Sequence, residues 1–212
     1  MDLTNIKTSR IPNRVNLIFS DGSYLPFFID DVVRLKLVKN QALDPDQLDQ
    51  IISTSLSYLG REYALRQIAI SPKTETLISQ KLRIFFIKKT QKFKLFSQAN
   101  FLNIAKGIIQ DLKDKNLLNQ KDFVNYFINK NKSKSASEIK FLLRQKGVDL
   151  SEVDIPVGNE IGSIKKILAK KRVNRELMAD FNYKNKLYAS LFRHGFQISD
   201  IKAAIDDYLS LQ

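Results

Sequence analysis

SASEIKFLLRQKGVDLSEV, residues Ser135 to Val153, reads as a helix, a glycine stop and the start of a second helix. Ser135 with Glu138, and Asp149 with Glu152, have the spacing of a capping box, in which side chains satisfy the free N–H groups of a helix start. Between them Ile139, Leu142 and Leu143 recur at helical spacing. Gly147 stands where a helix needs a left-handed C-terminal residue, and Arg144 and Lys146 precede it at the negative end of the helix dipole. The pattern returns 48 residues later: Leu187, Leu191, Gly195, Ile198 and Ile201 match Ile139, Leu143, Gly147, Leu150 and Val153 in order. A weaker copy opens at Ser71-Pro72-Lys73-Thr74-Glu75, with Ile78 and Leu82 in the apolar places. A helical unit used three times indicates a repeat architecture, whose units bury little alone and share apolar faces with their neighbours. The expected fold is mainly α.

Working outward, the sequence divides into an N-terminal β-hairpin and helix extension (1–53) and three three-helix repeats (54–116, 117–157 and 158–212). In the extension, RVNLIFSDGSYLPFFI (Arg14 to Ile29) alternates apolar and polar residues around Asp21-Gly22, a two-residue hairpin signal because both positions tolerate positive φ. Pro26 places the second strand at an edge. A hairpin alone is marginal, so a third strand is expected from Asn5 to Ile11. Asp30-Asp31 open a short helix, and Asp44-Pro45 is an N-cap followed by proline at the first helical position. The helices expected in repeat one are 57–70, 74–86 and 98–115. In repeat two they are 119–131, 135–146 and a short one from Asp149. In repeat three they are 158–172, 183–194 and 198–209. Ile84 to Phe96, IFFIKKTQKFKLF, extends past the point where the second helix of repeat one should stop, with no glycine to end it.

Composition bounds the function. With 43% apolar residues in 212, a core is within reach. The absence of cysteine excludes disulfides, thiolate zinc sites and cysteine nucleophiles. MDLTNIKTSR has no apolar signal core, so a cytoplasmic protein without membrane contact is expected. The net charge of +13 is uneven: residues 1–53 hold 6 Lys/Arg against 7 Asp/Glu, and residues 54–212 hold 29 against 15. A basic field on the helical part favours phosphate backbones or acidic protein surfaces.

No catalytic constellation emerges. His194, the single histidine, ends a helix beside Arg193 and Gly195 and reads as an exposed terminal residue. Asp30-Asp31 and Asp206-Asp207 are sequence neighbours, so their side chains diverge. There is no phosphate-binding glycine loop, and neither a metal nor a cofactor is expected. Phe123, Phe127, Phe141, Leu142 and Leu143 are assigned to the core. The candidate contact residues are basic. Lys165, Lys166, Lys170, Lys171 and Arg172 form one broad face. Lys140, Arg144 and Lys146 line the exposed side of the central helix, and Lys130, Lys132 and Lys134 crowd the loop before it. Lys88, Lys89, Lys92 and Lys94 alternate with Phe93 and Phe96, a pairing of cations and stacking faces suited to single strands.

Four motifs in order resemble the RecX family, bacterial regulators of the RecA recombinase: Tyr63-Ala64-Leu65-Arg66 followed by Ser71 to Glu75; Leu117 to Phe123 with Phe127; Leu143-Arg144-Gln145-Lys146-Gly147; and Leu187-Tyr188 with Leu191 to Phe196. The resemblance covers roughly residues 57–209, and the hairpin is similar to the extension of longer members. It implies an elongated right-handed array of three-helix units. It also implies a non-enzymatic monomer that binds the groove of the RecA filament on single-stranded DNA and inhibits filament growth, ATP hydrolysis and strand exchange in DNA repair and the SOS response. Single-stranded DNA is then a partner, with double-stranded DNA a further candidate. The rival expectation is a direct DNA binder of helix-turn-helix type, transcriptional or architectural, to which three-helix units are also suited.

Overall fold

The computed structural model describes residues 1–132, 134–151, 153 and 160–210. The chain forms two compact units, Met1–Asn119 and Gln120–Gln212.

The first unit opens with strands β1 (Asp2–Thr8), β2 (Arg14–Phe19) and β3 (Tyr24–Phe28), and β4 (Gln41–Ala42) completes an antiparallel sheet of order β3-β2-β1-β4. Pro26 therefore lies on an edge strand, and its carbonyl accepts a hydrogen bond from the buried Ser55 hydroxyl (2.6 Å). The hairpin turn is not the expected two-residue form. Only Gly22 has positive φ (+78°), and the Gly22 N–H donates to the Phe19 carbonyl (3.0 Å). This is a type I turn closed by a left-handed glycine. The third strand lies earlier than expected, at Asp2–Thr8, because Leu3 is the residue that reaches the core.

Period-2 alternation buries Leu3, Val15, Leu17, Phe19, Leu25 and Phe27 on one sheet face. Against it packs α2 (Pro45–Ile70), following α1 (Ile29–Arg34). Asp44 caps α2 in a complete capping box with Gln47, and Pro45 sits in the first turn. The helix passes through Gly60 without a break. A Cβ there would lie 2.8 Å from Ile108 Cδ1 and Phe86 Cε1, so the glycine lets α3 (Glu75–Lys92) and α4 (Phe101–Asp114) come close. One continuous core runs from Leu3 to Leu112, and α2 crosses residue 53 inside it. The Ile84–Phe96 extension is no loop: α3 continues to Lys92 and a 3-10 turn, Lys94–Gln98, follows. It continues because Phe86, Phe93, Leu95 and Phe96 all enter the same core.

The second unit contains α5 (Gln120–Lys130), α6 (Ala136–Gln145), α7 (Glu160–Lys170), α8 (Arg175–Ala179), α9 (Phe181–Arg193) and α10 (Ile198–Ser210). Ile164, Leu168, Val173, Leu187, Leu191, Phe196, Ile201, Ala204 and Ile205 form its main core. The segment 172–180, between the helices expected at 158–172 and 183–194, holds α8, capped by Asn174, whose side chain accepts from the Leu177 N–H (2.8 Å). The helix expected from Asp149 and the Glu152 half of its capping box fall largely on residues outside those described.

One closing device recurs. Gly147 (φ +77°) and Gly195 (+80°) take the left-handed conformation, and the next N–H bonds back to the carbonyl five residues earlier: Val148 to Leu143 (3.1 Å) and Phe196 to Leu191 (3.4 Å). The same geometry closes α1 at Lys36 (Leu37 to Val32, 3.0 Å), α4 at Asn116 (Leu117 to Leu112, 2.9 Å) and α7 at Arg172 (Val173 to Leu168, 3.1 Å). In α4, α6, α7 and α9 the accepting residue is a fully buried leucine, so the cap also fixes where the apolar stripe ends.

Candidate nucleoprotein interface

The central motif builds a junction within the second unit. Ser135 caps α6 by accepting from the Glu138 N–H (3.1 Å) and donates its own hydrogen to the His194 carbonyl (2.6 Å) at the end of α9. The positive start of one helix thus meets the negative end of another. Gly195 makes this possible: a Cβ there would stand 2.6 Å from Ser135 Oγ. Glu138 does not complete the capping box. Its carboxylate pairs instead with Lys134 and lies 3.4 Å from His194 Nδ1. The half-buried Glu160 joins the same junction, its carboxylate accepting from the Ala136 N–H (2.9 Å).

The candidate cations fall into three groups. On α6, Lys140 and Arg144 are exposed one turn apart, whereas Lys146 is half-buried with its ammonium 5.9 Å from the Phe127 ring. Phe141 lies between them and is 58% exposed, so its assignment to the core is wrong; Leu142 is half-buried. The reason is angular. Ile139 and Leu143 define the buried stripe, and Phe141, two residues from each, points about 200° away at ~100° per residue. Lys130 lies over Tyr126 (5.6 Å), the Lys132 carbonyl accepts from the Ser163 hydroxyl (3.0 Å), and Lys134 is held by Glu138.

On α7 the expected single face divides. Lys166 and Lys170 are exposed at i, i+4, while Lys165 turns toward α10 and pairs with Asp207. Lys171 and Arg172 are exposed in the closing turn.

On α3 and the 3-10 turn that follows, Lys88, Lys92 and Lys94 are exposed, and Lys89 is half-buried over the Phe85 ring (5.1 Å). Burial first, then the positive charges of Lys92, Arg14 and Arg66, hold the Lys89 ammonium below the usual lysine range. Phe93 and Phe96 are buried, so they offer no stacking face; the exposed aromatic between cations is Phe141. From Thr76 to Gln110 there is no acid and there are seven Lys/Arg. By contrast, the groove of about 1140 Å³ between α1, α2 and α4 has its charges matched, Arg34 with Asp31 (2.8 Å) and Arg61 with Asp111 (3.1 Å).

These features define a class first: a mainly helical protein with a small N-terminal antiparallel sheet and exposed cations on both units. No family model matches the chain. Curated relatives do. The chain is similar to regulatory protein RecX of Clostridium botulinum (strain Alaska E43 / Type E3), 26% identical over 96% of this chain and 93% of that one. It is also similar to regulatory protein RecX of Clostridioides difficile (strain 630), 25% identical over 95% and 92%. The crystal structure of a regulatory protein RecX superposes with a TM-score of 0.57 at 20% identity, over 97% of this chain and 98% of that chain. RecX from Lactobacillus salivarius gives 0.51 at 21% identity over 72% and 96%. The chain is similar to RecX regulatory proteins along nearly its whole length, and it has their fold. These relatives are named as regulatory proteins. Among the described residues no helix is long and apolar enough to cross a membrane, and no three His, Asp or Glu side chains group as metal ligands.

Proposed function

We propose that this chain regulates a RecA recombinase by binding the RecA filament on single-stranded DNA and inhibiting its growth, ATP hydrolysis and strand exchange, and so modulates recombinational repair. The observation that carries the reading is nearly full-length relatedness to RecX regulators. The exposed cations on α3, α6 and α7 support it, because a filament presents repeated phosphates and acidic protein surface. In this reading Lys88, Lys92, Lys94, Lys140, Arg144, Lys166, Lys170, Lys171 and Arg172 reach the filament. Lys89, Lys130, Lys132, Lys134, Lys146 and Lys165 flank that surface and set its field. The three-helix units act as successive modules along the groove.

The test is the ATPase rate of RecA on single-stranded DNA, with and without the protein, together with filament length by electron microscopy. Inhibition that weakens as salt rises is expected. An unchanged rate and unchanged filaments at micromolar protein overturn the proposal.

A further inference from the structure

Where the sheet meets α2 and α3, the first unit gathers cations around too little negative charge. Arg14 begins β2, opposite Phe28, which stacks on Tyr58 (4.9 Å); the Arg14 guanidinium lies 5.4 Å from the same Tyr58 ring. Its side chain is 11% exposed, and its Nε is buried with no hydrogen-bond partner among the described residues. One oxygen of Glu62 pairs with Arg14 and the other approaches Arg66 at 3.3 Å. On α3 the Lys89 ammonium lies over the Phe85 ring (5.1 Å), and Phe85 itself stacks on Tyr63 (4.4 Å), the neighbour of Glu62 in α2. Burial, and after it the positive charges of Lys92, Arg14 and Arg66, lower the Lys89 pKa. Two arginines therefore share one carboxylate, and the Lys89 ammonium stands on the neighbouring helix; the Tyr58 ring supports Arg14 and the Phe85 ring supports Lys89.

We propose that Arg14 and Arg66, which share Glu62, and Lys89 form a seat for a phosphodiester group of a single nucleic-acid strand. This rests on the reading that the protein works on a nucleoprotein filament. The chemistry favours phosphate over a protein carboxylate. A carboxylate offers two coplanar oxygens, and Glu62, shared between Arg14 and Arg66, already supplies one such group here. A phosphate offers oxygens in several directions to donors that approach from β2, α2 and α3. The acid-free run of α3 then continues the positive track through Lys88, Lys92 and Lys94, as a chain of regularly spaced phosphates requires.

The experiment uses the full chain and a fluorescein-labelled oligothymidylate, with anisotropy read across a salt series. Arg66→Gln and Lys89→Gln, both on helices, each flatten the slope of log Kobs against log salt by about 0.7, which is about eightfold weaker binding at ~50 mM salt. Glu62→Gln tightens binding, because it removes the competing carboxylate; a purely structural cluster gives no such gain. Wild-type slopes in both cation variants, or no tightening in Glu62→Gln with an intact circular-dichroism spectrum, overturn the site. Competition by poly-glutamate as effective as by unlabelled oligothymidylate assigns the seat to an acidic protein surface and overturns the nucleic-acid assignment. The RecA ATPase assay is scored separately: no inhibition by the wild-type chain, with flattened oligonucleotide slopes in the cation variants, removes the filament reading and leaves the phosphate seat standing.

Discussion

Alanine at Gly195 perturbs two things at once, and their sizes can be worked from the geometry. The residue holds φ +80°, where an L side chain costs about 1 kcal/mol. Its new Cβ would also stand 2.6 Å from Ser135 Oγ, far inside van der Waals distance, with Ser137 Cβ at 3.4 Å. Ser135 Oγ must then move. It gives up the cap on the Glu138 N–H, about 1 kcal/mol, and the bond to the His194 carbonyl, about 1 kcal/mol more. The total is about 3 kcal/mol. For a unit of this size that lowers its melting temperature by about 12–24 °C in calorimetry. Gly22→Ala is the matched control: the same φ sign (+78°) with nothing within 4 Å, and hence only about 1 kcal/mol. Ser135→Ala alone costs about 1–2 kcal/mol. In that background Gly195→Ala should cost only the conformational term, giving a coupling of about 1–2 kcal/mol in a double-mutant cycle. Equal losses for Gly195→Ala and Gly22→Ala, or additive effects with Ser135→Ala, would refute the claim that the α6 start is fixed by the α9 end.

Gly60→Ala and Gly107→Ala should differ in sign. Overpacking against Phe86 and Ile108 destabilises the first by about 1–2 kcal/mol, whereas the second, with open space around it, gains up to about 1 kcal/mol of helix propensity, as chemical denaturation will show. Phe141→Ala should leave stability within about 0.5 kcal/mol and weaken binding to single-stranded DNA or to the filament, read by anisotropy. Lys166→Gln with Lys170→Gln should flatten the salt dependence of binding by about 0.7 for each phosphate no longer neutralised; unchanged slopes take α7 out of the interface.

The fold was legible wherever local chemistry decides it. The Asp44-Pro45 start, the Ser135 cap and the glycine stops at Gly147 and Gly195 are backbone requirements that few residues meet. The equivalent stops at Lys36, Asn116 and Arg172 were invisible, because side chains other than glycine take positive φ too rarely to be read as a signal. The extent of α3 was missed for a different reason. Repeat logic ends that helix near Leu82, but Phe86, Phe93 and Phe96 are held by packing against residues distant in the chain. The same error inverted the aromatic part of the site. Phe93 and Phe96 stand among lysines yet are buried, while Phe141 stands in an apolar run yet is exposed; its angle from Ile139 and Leu143 was the usable sign. Nothing in the sequence pairs Arg14 with Arg66, since 52 residues separate them and only folding brings both to Glu62.

Arg172 occupies a place where its counterparts after α6 and α9 are glycines. At φ +52° a side chain is held against its own preference by about 1 kcal/mol, and Arg172→Gly would return that energy to the fold. The chain thus contains a ready route to greater thermal tolerance that removes a positive charge from a basic surface. Heat resistance and anion affinity therefore pull this one position in opposite directions.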